Sequence, residues 1–453
     1  MTSGVFDVLK ELALSVKRMM DDAISKNVIR PETTLCVRWR VEEFQYTEGG
    51  ITKLNARGER ITKPTWFGAA MTILEGVKQL PEYKLALEQL TDAFVDRDRL
   101  SQDLESFMNK FVLHYLNEQR YDKSSIDSLT SNFLKDLRKE PLRYGAHVEL
   151  QGVVLKLEKT EIDFGVTLRA PKIEDLEKEI PLGVFTTHPE IGGNLSAILD
   201  IEFLGRAANE IATNVHRSVA LLRLFKVGSV RYLSYRMFSD SITDIMASGT
   251  LTAGQTTQAL EKYLLTSDDL PKLKEFWQVV GKSIPATFYE LGQRKTDHLT
   301  IAYDRYTDAL LHNGILERRV MNSIMGLEAL FLKGGETQEL AYRLGTRIGK
   351  LFALLGYDQY KVREIISEAY RVRNVFAHGS QLTYRHRKRL ESCYGDIRNL
   401  LLQVLDYLRV SLIVMILASK PKDEFVDLLD DLLIDADREQ ELKQVVSLAK
   451  GVF

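Results

Sequence analysis

The spacing of apolar residues changes character once along this 453-residue chain, and that change limits its architecture more than any single motif. In Leu35-Cys36-Val37-Arg38-Trp39-Arg40-Val41 the large apolar residues take the odd positions and arginines two of the even ones, the period of two expected from a half-solvated antiparallel strand. Gly49-Gly50 marks a turn after it. The same period returns between His147 and Pro171. There Val148 and Leu150 open one run, and Ile162, Phe164, Val166 and Leu168 share a face of the other, which predicts a hairpin. Ala197 to Phe203 and Val230 to Arg236 predict further strands, separated by a helical stretch around Val215 to Leu224. Around these strands the period is helical, over Phe6 to Ile24 and again from Pro64 to Leu137. The second stretch carries Leu85, Leu87, Leu90 and Phe94, then Leu104, Phe107, Phe111 and His114, which places His114 on an apolar stripe as a structural histidine.

From Ser248 to Thr257 the chain is mostly small and polar, as a linker is, and the strand signals stop after it. Helical spacing then prevails, with breaks at Gly314, Gly334-Gly335, Gly356 and Gly379-Ser380, as in an up-and-down bundle. Residues 387–418 read as one long helix. Beyond Pro421 an acidic helical tail carries Phe425, Leu428, Leu429 and Leu432 on one side. The fold class is therefore α+β: a mixed α/β region over 1–245, linker and connecting helices over 246–296, a helical bundle over 297–420, and the tail over 421–453.

With 45% apolar and 27% charged residues, such a chain can bury two or three cores. A net charge of -2 excludes a generally basic surface, so contact with nucleic acid would need a local patch of arginines. Cys36 and Cys393 supply neither a disulfide framework nor a cysteine-rich metal site. The first helix carries Asp7, Lys10, Glu11, Lys17, Arg18 and Asp21, unlike the apolar segment of a signal peptide. The longest uncharged apolar run, Val410 to Ala418, is too short to span a bilayer. The expectation is a cytoplasmic protein with no membrane partner.

One stretch carries chemistry. Between Arg363 and Ser380, Ile365, Ala369, Val372 and Phe376 form the apolar stripe of a helix. Arg371, Asn374 and His378 align on the opposite side, and Arg373 lies on the flank, about 70° from the core face. Gly379 is suited to the C′ position, which leaves His378 at the helix terminus. On one straight helix Arg373 and His378 point about 140° apart, so they meet on one phosphate only if the helix end distorts or a second subunit supplies the partner. Glu328, flanked by Ile324, Leu327 and Phe331 on one side and Met321, Met325 and Leu332 on the other, needs a cation: Arg373, or alternatively Arg343 or Arg347. Arg371 can pair with Glu368. The run Tyr384-Arg385-His386-Arg387-Lys388-Arg389 is the densest basic stretch in the chain. It fits either a nucleic-acid backbone or a solvated helix start compensated by a neighbouring acid.

Arg373-Asn374-Val375-Phe376-Ala377-His378 resembles the R-x4-6-H motif of the HEPN superfamily (higher eukaryotes and prokaryotes nucleotide-binding). Leu327-Glu328-Ala329-Leu330 is similar to the Leu-Glu-x-Leu helix of its Apea-like branch. The resemblance covers about residues 297–420. It implies a metal-independent endoribonuclease acting on RNA, single-stranded or tRNA-like, with no cofactor and with two motifs meeting in a homodimer. Arg373, His378 and Asn374 would be its catalytic residues, Glu328 and Arg371 their supports, and Arg385, Arg387, Lys388 and Arg389 the contacts to RNA. It also implies a defence or stress effector whose N-terminal region senses a trigger ligand or protein. The alternative is a non-catalytic HEPN module that binds nucleotides or RNA, or only dimerises.

Overall fold

A computed structural model describes the chain apart from residues 1, 48–49, 96, 119–122, 157, 182–194, 245–248, 253–260, 291, 293–295, 312–313, 433–435 and 452–453. It is α+β, with sheets confined to the first 265 residues. Helix α1 (Thr2–Ser25) is followed by a long antiparallel ribbon of β1 (Glu32–Thr47) and β2 (Gly50–Thr65). Helices α2 (Phe67–Val77), α3 (Pro81–Ala93), α4 (Leu100–Glu118) and α5 (Lys123–Leu137) then close on α1 around a core that includes Leu9, Leu12, Leu104, Phe107, Phe111 and Phe133. Contrary to the stripe reading, His114 is exposed, because the buried face of α4 runs through Phe111, Val112 and Tyr115.

The next elements are β3 (Leu142–Gln151), β4 (Val153–Leu155), β5 (Lys159–Asp163), β6 (Val166–Arg169), α6 (Ile173–Leu176), β7 (Lys178–Pro181), β8 (Ala197–Gly205), α7 (Asn209–Phe225), β9 (Arg231–Ser239) and β10 (Gly249–Thr252). Six of these strands form a sheet in the order β10-β9-β3-β8-β6-β5, while β7 pairs with β1 to give β2-β1-β7. The hairpin expected between the two halves of 147–171 is not formed. β3 pairs instead with β8 and β9, and the hairpin is β5 with β6. Phe164 belongs to its turn and is 91% exposed rather than sharing a face with Leu168. On one face of the sheet, Tyr144, Ala146, Val148, Leu168, Leu199 and Ile201 enter a core shared with α7. On the other, Ile198 and Leu233 meet Val41, Phe44, Ile51 and Leu54 of the ribbon. The same face also carries polar groups: Asp200 bonds His147 Nδ1 at 2.7 Å and Arg169 Nε at 2.7 Å.

Two strands lie where sequence alone reads linker and helix. Gly249–Thr252 is β10, at the sheet edge, while residues 253–257 of the same stretch lie outside the described residues. β11 (Tyr263–Leu265) pairs in parallel with β4. It is driven by the burial of Tyr263 and Leu265.

Helices follow: α8 (Asp269–Ser283), α9 (His298–Leu311), α10 (Leu316–Phe331), α11 (Leu340–Leu354), α12 (Gln359–Ala377), α13 (Tyr384–Tyr394), α14 (Ile397–Ala418), α15 (Lys422–Asp431) and α16 (Ala436–Lys450). The single helix expected over 387–418 is two. Gly395 takes φ +74, donates to the Glu391 carbonyl, and ends α13 before Asp396 begins the next. The sheet and these helices share one continuous core, so by packing the sheet belongs with the bundle rather than with α1–α5.

By length and hydropathy α14 could cross a membrane, but 78% of its most apolar window is buried inside the protein, as in a core helix. Its one enclosed cation, Arg409, pairs with Asp406 and donates to the carbonyls of Leu224 and Phe225 at 3.0 and 2.8 Å, capping the C-terminal end of α7. Arg347 performs a similar task for the tail. It makes paired bonds to Glu336 and to Asp430, and donates to the Phe331 carbonyl, so α15 is clamped to α11.

Two outcomes follow from these arginines. Arg409→Met leaves two helix-end carbonyls without a donor and should lower the unfolding free energy by about 3 kcal/mol, read as a shift in urea midpoint at constant m-value. The Arg347 guanidinium holds the Glu336 carboxyl down at about 2 from an ordinary 4.5. A depressed carboxyl stabilises the fold above its unfolded value and ceases to do so as pH falls toward the folded one. Between pH 4.5 and 2, stability should therefore fall more steeply in the parent than in Glu336→Gln, measured by chemical denaturation across that window.

Candidate functional site

Helix α12 starts at Asp358, whose carboxylate accepts from the backbone N–H of Tyr360 and Lys361. It ends at His378, after which Gly379 turns with φ +68. The Gly379 and Ser380 N–H groups donate to the carbonyls of Phe376 and Val375, each at 3.0 Å, the paired closure of a Schellman motif. Ile365, Ala369 and Val372 are buried as the apolar stripe requires, whereas Phe376 is half-buried as the helix leaves the core. His378 is exposed, and its ring makes no hydrogen bond or ion pair among the described residues.

Arg373 meets the neighbouring α10. Its Nη2 donates to Glu328 Oε2 at 3.3 Å, and its Nη1 to Asn374 Oδ1 at 3.1 Å. Of the three cations open to Glu328, Arg373 is thus the partner, while Arg343 and Arg347 both turn to Glu336. The Arg373 guanidinium carbon lies 5.4 Å from the ring centroid of Tyr370. Burial, with the Glu328 carboxylate close by, pushes the Tyr370 phenol up. The Arg373 Nε is enclosed and has no hydrogen-bond partner among the described residues.

That arrangement contrasts with Arg347, whose Nε, Nη1 and Nη2 are all engaged at 2.7–2.9 Å by two carboxylates and a carbonyl. A charge-assisted bond is normally about 2.7–2.9 Å long. Arg347 is a saturated structural arginine. Arg373 makes two longer bonds from its five N–H donors, one to a neutral amide, and keeps capacity for an anion.

Glu368 pairs with Arg371, as the sequence allows, but sequence reading missed that this carboxylate is the centre of the adjacent surface. Glu368 is buried to 2% side-chain exposure and is met by Arg371 at 3.0 Å, His386 at 2.6 Å and Arg389 at 3.5 Å. A solitary acid on the flank of α12 gives no sign in sequence that α13 will fold over it. The arrangement divides the basic run. His386 and Arg389 compensate Glu368 and pin α13 to α12, so Arg389, expected at an RNA contact, has a structural partner. Arg371, expected as a support for the motif, faces the same carboxylate. Arg385, Arg387 and Lys388 are exposed and make no ion pair among the described residues. Beside them, an open cleft of 300 Å³ is lined by Tyr360, Arg363, Arg371 and Arg389 with Glu364 and Glu368. Arg363 stacks over Tyr342 at 4.7 Å, and both Tyr342 and Tyr360 are exposed.

No family model matches the chain, and it has no match among curated proteins or solved structures. Function has therefore to be read from the residues themselves. The Glu368 cluster yields a direct check on which basic residues hold the fold. Glu368→Gln strands two guanidinium groups and the His386 ring and should cost about 3 kcal/mol in urea denaturation, whereas Arg371→Ala, which removes the exposed partner of that pair, should cost under about 1 kcal/mol.

Proposed function

We propose that this protein is an endoribonuclease of HEPN type, with Arg373, His378 and Asn374 at its centre. The observation that carries the reading is the contrast between two arginines: Arg347 is buried and saturated, whereas Arg373 is partly exposed and held in place by Glu328 with unused Nη hydrogens, beside a helix end that presents His378 to solvent. A guanidinium fixed in position but not saturated is suited to take up the non-bridging oxygens of a phosphodiester. Glu328 acts as a positioning residue, setting the guanidinium from α10.

The chemistry is transesterification within the substrate. The His378 imidazole takes the proton of a ribose 2′-OH, the 2′ oxygen attacks the adjacent phosphorus, and the bond from phosphorus to the 5′ oxygen breaks. The 5′ oxygen leaves with a proton taken from solvent, giving a 2′,3′-cyclic phosphate and a free 5′-hydroxyl, and the imidazole later returns its proton to solvent. Arg373 stabilises the charge that builds on the non-bridging oxygens, and Asn374 orients the phosphate. DNA, without a 2′-OH, is not a substrate. Because helix geometry sends Arg373 and His378 in different directions, the site is completed in a homodimer, where the exposed end of α12 meets its counterpart. Arg385, Arg387 and Lys388 would follow the backbone of the same strand, single-stranded or in a tRNA-like loop. The setting of such chemistry is a cytoplasm, in a defence or stress response held off until the N-terminal region meets a trigger.

The second reading is a non-catalytic module that binds RNA or nucleotides, favoured by the contact Arg373 already makes with Glu328. Labelled tRNA and total RNA incubated with the purified chain in EDTA separate the two. The nuclease reading expects cleavage with cyclic-phosphate ends, reduced about 10²–10⁴-fold by His378→Ala and comparably by Arg373→Ala. RNA retained on the protein without cleavage favours the second reading, and cleavage unchanged in His378→Ala overturns the first.

A further inference from the structure

Far from α12 in sequence, a cleft of 630 Å³ opens between the N-terminal helices and the sheet. Its walls carry charges of both signs, but the two signs are used differently. Asp103 is paired with Arg97 at 2.6 Å, and Arg97 also caps α5 through the carbonyls of Asp136 and Leu137, both at 3.1 Å. Asp136 accepts from Ser241 Oγ and from the Ile242 and Thr243 N–H groups, and faces Lys110. Asp244 accepts from the Ala208 N–H at 2.6 Å, and Glu140 lies 3.6 Å from Arg138. Asp136 thus ties the helical wall to the segment after β9, while the other paired acids bond within one wall, and Asp98 alone among them makes no hydrogen bond or ion pair among the described residues.

The cations do the reverse. Arg99, just before α4, Lys139, just after α5, and Arg206, just before α7, all line the cleft and are exposed. None of the three makes a side-chain hydrogen bond or ion pair among the described residues, although the Arg206 backbone N–H donates to the Glu210 carboxylate at 2.8 Å. Three loops from both walls thus bring three cations with unpaired side chains to one opening, whose lining also holds five carboxylates, all but Asp98 already bonded. Lys139 also occupies a left-handed backbone position, φ +56, where its Glu140 neighbour closes the end of α5 on the Lys135 carbonyl. Glycine takes that conformation without steric cost, so a glycine can replace this lysine without strain.

We propose that this cleft binds a small, multiply charged phosphate anion, gripped by Arg99 and Lys139 from the helical wall and by Arg206 from the sheet. Its volume falls in the range of about 300–1,000 Å³ found for small-molecule sites, enough for a mononucleotide. The ligand bridges the two walls, so it stabilises their junction. None of these residues touches Arg373 or His378, and the proposal stands or falls without reference to RNA cleavage.

The test is calorimetric titration of the full chain with ATP and, separately, with pyrophosphate, at fixed ionic strength. The expected result is one equivalent bound per chain by at least one probe, weakened about tenfold or more by Arg206→Ser and by Lys139→Gly. Equal affinity for both probes assigns recognition to the phosphates; a preference for ATP adds a contact to the nucleoside. Lys139→Gly should leave the melting temperature without ligand unchanged or higher, which separates loss of binding from loss of fold. Absence of binding by both probes, or binding that survives either substitution, overturns the proposal.

Discussion

A helix enclosed on all sides needs apolar surface from every neighbour, and α14 obtains it from α7, α8, α9, α10, α12, α13 and α16. Elements from both sides of the sequence divide at residue 245 are thereby committed to one core. Arg409 shows what this costs and what it achieves. A guanidinium in such a helix must find acceptors, and it finds them at the end of α7, whose last carbonyls would otherwise lack donors. The pairing fixes the rotation of α14 and ties the sheet's helix to the bundle. Because α10 and α12 both rest on α14, the spacing between Glu328 and Arg373 is set by the same contact surface.

The helices of the bundle carry arginines in two conditions. Arg347, Arg319 and Arg409 are spent on carboxylates and on helix-end carbonyls, and removing one exposes the groups it serves. Arg373 is placed by a carboxylate but not consumed by it. The same distinction separates His386, bonded to buried Glu368, from His378, which closes a helix and faces solvent. Positions in one basic or polar stretch therefore belong to different tasks, and the sign of the charge alone does not sort them.

Local geometry was the part most legible in the sequence. Alternation located β1, β8 and β9, and Gly379 identified the end of α12, because each depends on residues within a few positions of one another. Pairing Glu328 with a cation was legible too, since a carboxylate among leucines and methionines has few stable alternatives. What escaped depends on distant chain. β3 finds its partners at β8 and β9, some fifty and ninety residues away, rather than in the nearest run of the same period. β11 is a strand only because β4 offers it an edge. Glu368 becomes a hub only once α13 turns back over it, and the reversal at Gly395 is concealed by the helical period on both sides.

The ribbon ends in β2, whose outer side pairs with nothing among the described strands of its three-stranded sheet. Sixteen residues of open backbone would ordinarily invite another molecule's strand to dock. Along this border, however, Lys53, Arg57, Arg60 and Lys63 are exposed, and Pro64 lacks an N–H to offer. Charged side chains, four of them basic and one, Glu59, acidic, together with a proline, are the features that keep such an open edge from pairing with another strand.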